Sequence, residues 1–80
     1  MYYVYILRSI KYPKEIYIGS SSDVKSRVIA HNAGQSPHTS KFKPWRVVCY
    51  MGLPTKTKAE ALEKYLKSGS GRAFIHKRLM

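Results

Sequence analysis

The fold is arranged around residues 15–31, Glu15-Ile16-Tyr17-Ile18-Gly19-Ser20-Ser21-Ser22-Asp23-Val24-Lys25-Ser26-Arg27-Val28-Ile29-Ala30-His31, in which a strand is followed by a helix. Ile16-Tyr17-Ile18 is β-branched and aromatic, which is typical of a strand, and residues 19–23 then interrupt the pattern and supply side chains that start helices. On the predicted helix, Arg27 and His31 are four residues apart and share a face. The stretch therefore predicts that a strand-end tyrosine, an arginine and a histidine converge at one site.

The composition indicates one small folded domain with a phosphate-rich partner. At 80 residues the chain can bury a single modest core, so we expect one domain over residues 1–80. Its 15 Lys and Arg residues against 4 acidic residues give a net charge of +11, which favours nucleic acid as the partner. The 44% of hydrophobic residues excludes a disordered basic tail.

Cysteine usage and hydropathy bear on the compartment. Cys49 is the only cysteine, so it can form no intrachain disulfide, and its apolar neighbours predict a buried thiol. No apolar run approaches the roughly 18 residues that span a bilayer, and the N-terminus lacks the pattern of a signal peptide. We therefore expect a cytoplasmic protein that does not cross a membrane.

Two strands are predicted in the first part of the chain. Residues 2–7 are a block of strand formers, and their alternation places on one face Tyr3, Tyr5 and Leu7. Residues 8–14 are polar and contain a proline, which is typical of a hairpin loop that returns the chain into the strand of Tyr17. If the strands pair antiparallel, Tyr5 and Tyr17 lie on one face of the sheet, whereas a slip of one residue would separate them.

A helix, a loop and a third strand are expected next. The first helix begins near Asp23 and ends near Asn32 or Gly34, and its core side chains are Val24, Val28 and Ala30. Residues 35–44, rich in Ser, Pro and Lys, are expected to form a loop. Residues 46–51 predict the third strand.

The last part of the chain is predicted to be helical. Thr57-Lys58-Ala59-Glu60 has the Thr-x-x-Glu form of a capping box, which predicts the start of the second helix at Thr57. Its buried stripe is Ala59, Leu62 and Leu66, and Glu63 lies at the edge of that stripe. Residues 68–71 are Ser and Gly and are expected to end this helix, and residues 72–79 predict a short closing helix.

The acidic residues limit the metal chemistry that the chain can support. Glu15, Asp23, Glu60 and Glu63 fall in four different elements, which disfavours a two-metal site built from clustered carboxylates. One divalent ion held by one carboxylate, with water and phosphate oxygens in its other positions, is compatible with the sequence, and Glu63 is the candidate ligand. The alternative for Glu63 is an exposed i,i+4 ion pair with Lys67.

Each of the other candidate residues also has an ordinary structural role. Arg27 suits a phosphoryl transition state because its planar fork holds two oxygens, but it can equally lie on a solvated helix face. His31 can relay a proton or bond a phosphate, or it can satisfy carbonyls at the helix end. Tyr5 and Tyr17 can be half-buried strand tyrosines, and a phenol with its ordinary pKa near 10 is a poor base unless positive charge or a metal-bound water lies beside it.

Taken together, the motifs resemble a known family. The ordered set is Tyr3-Val4-Tyr5, Tyr17-Ile18-Gly19, Asp23-x-x-x-Arg27-x-x-x-His31-Asn32 and a later Glu63, and it resembles the GIY-YIG endonuclease superfamily. The pairs His38-Thr39 and Pro44-Trp45 and the run over residues 63–72 are similar to the small stand-alone members, which consist of the nuclease domain alone. The chain departs from the name-giving pattern where Tyr3-Val4 stands in place of Gly-Ile, while the tyrosine that follows is kept.

The resemblance implies an α+β fold with a three-stranded antiparallel sheet flanked by helices, and hydrolysis of a phosphodiester with one Mg²⁺ or Mn²⁺. It implies that Glu63 holds the metal and that Arg27 neutralises charge on the scissile phosphate. Tyr5 or Tyr17 would activate or orient the attacking water, Tyr5 being favoured as the base, and His31 would assist by hydrogen bonding. The basic side chains expected to contact nucleic acid are Lys25, His38, Lys41, Lys43, Lys67 and Arg72.

Three functions are compatible with these features. The first is a metal-dependent DNA endonuclease in DNA repair or recombination, whose cleavage requires Glu63. The second is a non-catalytic module of nuclease ancestry that binds DNA or RNA through Lys and Arg. The third is a basic accessory protein of an RNA-protein particle. Electrostatics alone does not rank the nucleic acids, because every backbone presents the same charge.

Overall fold

Three antiparallel strands form the single sheet of the protein. The computed structural model describes all residues from 1 to 80, with β1 at Tyr2–Ser9, β2 at Ile16–Ser21 and β3 at Trp45–Leu53. The strand order is β2-β1-β3, so β1 is the central strand and both of its faces are covered. This confirms the α+β architecture with a three-stranded antiparallel sheet.

The register of the β1–β2 hairpin sets the position of the candidate tyrosines. Tyr5 lies opposite Gly19 and Leu7 lies opposite Tyr17, so Tyr5 and Tyr17 are diagonal neighbours on one face, as the alternation predicts. Their ring centroids are 6.2 Å apart.

The helices cover both faces of the sheet. In chain order they are α1 (Val24–Asn32), α2 (Pro37–Ser40), α3 (Lys56–Leu66) and α4 (Gly69–Phe74), which continues into a π-helical turn at Ile75–Leu79. Each face has its own hydrophobic cluster. The cluster under α3, α4 and the π-helical turn contains Val4, Ile6, Ile18, Ala59, Leu66 and Ile75. The cluster under α1 and α2 contains Tyr5, Leu7 and Trp45, with Tyr17, Val24, Val28 and Phe42 at its margin.

The first helix forms as the sequence predicts. Asp23 is its N-cap, and the carboxylate accepts hydrogen bonds from the backbone and the hydroxyl of Ser26. The Ser26 hydroxyl, followed by its backbone N–H, lowers the pKa of Asp23. Two residues after the helix, Gly34 has a φ of 78°, the left-handed conformation that ends helices at glycine.

Two predicted elements of the middle and last parts of the chain are wrong. The expected loop over residues 35–44 contains α2, because Pro37 occupies a first-turn position and α2 buries Thr39. The expected capping box at Thr57 does not form. Instead, Thr55 is extended and its hydroxyl accepts the backbone N–H of Lys58, so α3 begins earlier and Glu60 has no capping role.

The Ser-Gly segment after α3 is helical rather than a simple stop. The Ser68 hydroxyl accepts the backbone N–H of Gly71 and caps α4, which therefore begins three residues before the predicted closing helix. A Cβ atom on Gly71 would overlap the Tyr65 carbonyl oxygen and the Leu66 backbone. Glycine at this position therefore lets α4 pack against the end of α3, which the local sequence pattern does not reveal.

Two further sequence expectations concern Cys49 and the membrane. Cys49 is half-buried and packs against the cluster under α3, and burial raises the pKa of its thiol. No helix in the protein combines the length and the apolar character that crossing a bilayer requires.

Candidate active site

Tyr5, Tyr17 and His31 form an aromatic cluster between the sheet and α1. The hydroxyl of Tyr5 lies 3.4 Å from His31 Nε2, and the centroids of the Tyr17 and His31 rings are 4.6 Å apart. Tyr5 and His31 are each 1% exposed, whereas Tyr17 is half-buried. The structure therefore brings together the two predicted tyrosines and the predicted histidine.

His31 uses both ring nitrogens inside the protein. Nε2 faces Tyr5, and Nδ1 lies 2.8 Å from the hydroxyl oxygen of Thr39 on α2. Burial, followed by the charge of Arg27, lowers the pKa of His31 below its ordinary value, so the ring is neutral at pH 7. Both partners of the ring are side chains. The alternative role for His31, which is to satisfy backbone carbonyls at the end of α1, is therefore not the one that the structure shows.

Arg27 reaches the same cluster from the exposed face of α1. Its guanidinium lies close to the hydroxyl of Tyr5, and this neighbour is the largest cause of the raised pKa of Arg27. Burial raises the pKa of Tyr5, and the nearby guanidinium of Arg27 only partly offsets this. Tyr5 is therefore a neutral phenol at pH 7, with a permanent positive charge beside its oxygen.

Gly19 makes the close approach of the two tyrosines possible. A Cβ atom on Gly19 would lie 2.6 Å from the hydroxyl oxygen of Tyr5 and 2.9 Å from Cε2 of Tyr17. Only a residue without a side chain leaves this space to both rings. The glycine of the Tyr17-Ile18-Gly19 motif is thus part of the site and not only the end of a strand.

Glu63 approaches the site from α3. Its Oε1 accepts a 2.6 Å hydrogen bond from the Ser20 hydroxyl at the end of β2, and its Oε2 accepts a 2.7 Å hydrogen bond from Lys67. Burial acts to raise the pKa of Glu63, but the hydrogen bonds from Lys67 and Ser20 outweigh it and hold the pKa below its ordinary value. The ion pair with Lys67 is the i,i+4 pair that the sequence offers as the alternative role of Glu63. The hydrogen bond from Ser20 also joins Glu63 to β2.

Glu63 and the tyrosine cluster lie on either side of β2. Ser20, which donates to Glu63 from the face toward α3, directly follows Gly19, which lies against Tyr5 and Tyr17 on the face toward α1. The strand thus has an anionic carboxylate on one side and a guanidinium, two phenols and a neutral imidazole on the other. These are groups that bind a phosphate, carry a cation and move a proton.

Comparison with known proteins agrees with this geometry. The family model of the GIY-YIG catalytic domain matches residues 1–77. The chain belongs to the GIY-YIG family. The resemblance of the motifs is therefore confirmed over almost the whole chain.

The similar curated proteins of the family carry one name. The structure-specific endonuclease subunit SLX1 of Debaryomyces hansenii is 37% identical over 73 residues, which is 82% of this chain and 21% of that protein. The protein of the same name from Candida dubliniensis is 38% identical over 73 residues, or 82% of this chain and 26% of its own. A homolog from Giardia intestinalis is 36% identical over 64 residues. The chain thus spans about a fifth to a quarter of the length of the relatives that it matches.

The donor set at Glu63 fits a hydrated divalent ion. Each oxygen of the carboxylate accepts one hydrogen bond and keeps a further lone pair, and the lowered pKa keeps the group anionic. No group of three or more His, Cys, Asp or Glu side chains is arranged to hold a metal. A single carboxylate is sufficient for an ion of the Mg²⁺ type, which keeps most of its water and also binds phosphate oxygens.

The basic residues expected to contact nucleic acid are all exposed, but only some lie at the site. Lys67 contacts Glu63, and Arg72 donates to the backbone carbonyl of Lys67. Lys41 lies over the ring of Phe42, next to α2. The remaining members of the set are Lys25, His38 and Lys43.

Three residues that position the site received no role from the sequence. Ser20 bonds Glu63, Thr39 bonds His31, and the Asn32 amide pairs with the backbone N–H and carbonyl of Trp45, which joins α1 to β3. Alternation from Ile18 could have placed Ser20 on the face toward α3. Thr39 and Asn32 lie within quoted motifs, but their partners are distant in sequence.

A groove between α1 and β3 includes none of Tyr5, Tyr17, His31 and Glu63. Its walls are mainly apolar and include Tyr3, Val28 and Tyr50. Glu63 lines a smaller and more polar depression with Glu60, Lys64 and Lys67. The chemistry of the side chains, rather than the size of the groove, assigns the site, because an extended phosphodiester does not need an enclosed cavity.

Proposed function

We propose that the protein is a divalent-metal-dependent DNA endonuclease that hydrolyses phosphodiester bonds. The observation that carries the proposal is the cluster of Tyr5, Tyr17 and His31, with Arg27 beside it and with Glu63 bonded to Ser20 on the same strand as Tyr17. Membership of the GIY-YIG family supports it. The names of the relatives, which describe structure-specific endonuclease subunits, suggest that branched or flapped DNA belongs among the substrates tested.

Arg27 is assigned to the phosphate. Its guanidinium is exposed on α1 and lies near the Tyr5 hydroxyl, so it can present its N–H donors to two phosphate oxygens. Its charge persists at every working pH. It would therefore stabilise the negative charge that increases on the phosphate in the transition state.

Tyr5 is assigned to the attacking water. Since its pKa is raised, it is a phenol in the resting protein and must lose its own proton to act as a base. The neutral imidazole of His31 is its nearest acceptor. A proton taken from water by Tyr5 would thus be matched by transfer of the Tyr5 proton to His31, and Tyr17 would orient the water from the neighbouring strand.

Glu63 is assigned to the metal ion, for which we propose Mg²⁺ or Mn²⁺. The bound ion would supply Lewis-acid polarisation of the scissile phosphate and neutralise charge on it. Glu63 is suited to hold the ion because its carboxylate stays anionic and because the hydrogen bond from the Ser20 hydroxyl fixes the orientation of the carboxylate.

The test is cleavage of a panel of labelled nucleic acids by the purified protein. The panel contains single-stranded, duplex, flapped and branched DNA and RNA, each with Mg²⁺, with Mn²⁺ and with EDTA. Glu63→Gln removes the charge of the metal ligand without changing its shape. The matched control is Glu15→Gln, the same change at the opposite end of β2, where the side chain is exposed. Metal-dependent cleavage that Glu63→Gln abolishes and Glu15→Gln preserves is the expected result.

One observation favours a second candidate function. Lys67 already neutralises Glu63, as would suit a module that binds nucleic acid through positive charge without cutting it. Such a module would bind the panel in a salt-dependent manner without cleaving any member. Glu63→Gln would then leave binding intact or strengthen it, because the change removes an acid from a basic surface. That combination would reject the endonuclease proposal.

A further inference from the structure

We infer that Thr39 fixes the tautomer of His31, with the proton on Nδ1 and the lone pair of Nε2 directed at Tyr5. Thr39 is thus a positioning residue that makes His31 the proton acceptor of Tyr5. The geometry is independent of activity, while its catalytic consequence rests on the proposed function.

Tyr5, His31 and Thr39 form a row of hydrogen-bonded side chains. The direction of each bond follows from the groups at the two ends of this row, which are Arg27 and the carbonyl of Ser36. At one end, the guanidinium of Arg27 lies close enough to Tyr5 for each group to shift the pKa of the other, and its positive charge attracts the lone pairs of the Tyr5 oxygen, so the Tyr5 proton is left to donate. Tyr5 is 1% exposed, and its side-chain partner for that proton is Nε2 of His31, at 3.4 Å. Nε2 must then be unprotonated.

At the other end, the carbonyl oxygen of Ser36 is an acceptor only. It lies 3.4 Å from the Thr39 hydroxyl, which donates to it and leaves the Thr39 oxygen free to accept. The contact between that oxygen and His31 Nδ1 is 2.8 Å, the shortest one that the ring makes. The proton of the neutral imidazole therefore lies on Nδ1, in agreement with the requirement at Nε2.

The position of Thr39 is itself fixed by the fold. Thr39 is 2% exposed, and its backbone carbonyl accepts a 3.0 Å hydrogen bond from the indole N–H of the buried Trp45. Trp45 is in turn paired with Asn32 at the end of α1. These bonds fix the backbone of Thr39 beside the imidazole, and its hydroxyl is buried there between His31 and the Ser36 carbonyl.

The consequence for catalysis is a two-step proton transfer. Water gives a proton to the Tyr5 oxygen, the Tyr5 proton moves to His31 Nε2, and the resulting hydroxide forms the new P–O bond as the bond to the leaving oxygen breaks. The imidazolium then returns its proton to Tyr5, and Tyr5 passes the proton that it took from water to the leaving oxygen. The groups that face His31 during this transfer are Tyr5 from β1, Tyr17 from β2, Arg27 from α1 and Thr39 from α2.

The tautomer can be measured without any substrate. Long-range ¹H–¹⁵N correlation NMR of protein labelled in its histidine rings, at neutral pH, distinguishes a protonated Nδ1 from a protonated Nε2. The resonances of His31 are assigned by their loss in His31→Gln. We expect a protonated Nδ1 and an unprotonated Nε2. A protonated Nε2 in the wild-type protein would overturn the inference, whatever the activity.

Two variants of Thr39 test its role. Thr39→Val keeps the shape and removes the acceptor, and we expect it to raise the Nε2–H population and to lower kcat by about 10²-fold with little change in KM. Thr39→Ser keeps the oxygen and should restore both properties. Thr57→Val, the same change on the exposed start of α3, is the matched control. If Thr39→Val keeps the wild-type tautomer, Thr39 does not set it.

The two proposals fail in different ways. A protein that cleaves nothing but has the Nδ1–H tautomer refutes the endonuclease proposal and leaves the geometry of Thr39 standing. A metal-dependent nuclease with the Nε2–H tautomer refutes the inference about Thr39 and leaves the endonuclease proposal standing.

Discussion

Replacing Gly19 with alanine tests how closely Tyr5 and Tyr17 are packed. The added Cβ would lie 2.6 Å from the Tyr5 hydroxyl oxygen and 2.7 Å from its Cζ, whereas ordinary contact begins at 3.4 Å. The Tyr5 ring must therefore retreat by about 0.8 Å, the difference between these two separations. Tyr5 is 1% exposed, so the movement has to be absorbed by packed neighbours.

The effect on stability and on rate can be estimated from that displacement. Inserting a methyl group into a packed core costs about 1–3 kcal/mol of unfolding free energy. A misplacement of about 1 Å in a catalytic group can lower a rate by about 10²-fold, so we expect Gly19→Ala to lose between about 10-fold and 10²-fold in the single-turnover rate. The assays are urea unfolding followed by circular dichroism, and cleavage of the best substrate of the panel at saturating metal.

The matched control is Gly69→Ala, at the first position of α4. A Cβ atom there meets nothing within 4 Å, and alanine favours the helix by about 0.5–1 kcal/mol. This variant should be as stable as the wild type or slightly more stable, with an unchanged rate. Equal stabilities for Gly19→Ala and Gly69→Ala would refute the argument that the tyrosines leave no room at the first site.

Three further predictions concern the metal ligand, a helix cap and the pH dependence of stability. Lys67→Ala removes the cation that competes with a metal ion for Glu63. It should tighten Mn²⁺ binding, measured by calorimetry, by about two- to five-fold, which is the equivalent of an exposed ion pair, and weaker binding would contradict this. Thr55→Ala removes the cap of α3 and should lower the free energy of unfolding by about 1 kcal/mol, whereas Thr57→Ala should not. Equal losses in urea unfolding would show that Thr57 caps the helix after all. Because burial and the neighbouring guanidinium lower the pKa of His31 in the folded state, the unfolded chain binds its proton more readily. Stability should therefore fall as the pH drops below about 6.5, and this loss should be smaller in His31→Gln.

The elements that depend on local pattern are predictable from the sequence. Alternation in residues 2–7 and the β-branched run at Ile16 predict the hairpin, and Asp23 predicts the start of α1, because side-chain periodicity and capping involve neighbours along the chain. The family resemblance added the ordered set of site residues. Net charge favoured a phosphate-rich partner without any structural information.

Which side chains meet depends on how the elements pack. The hydrogen bonds of Ser20 with Glu63 and of Thr39 with His31 join different elements, and local propensity carries no information about them. The same holds for α2, which is stabilised because it buries Thr39 against His31 and Trp45, not by any helical period of its own. Packing also decides whether a polar residue is a partner or part of a solvated face, because it fixes distance, burial and the direction of each hydrogen bond together.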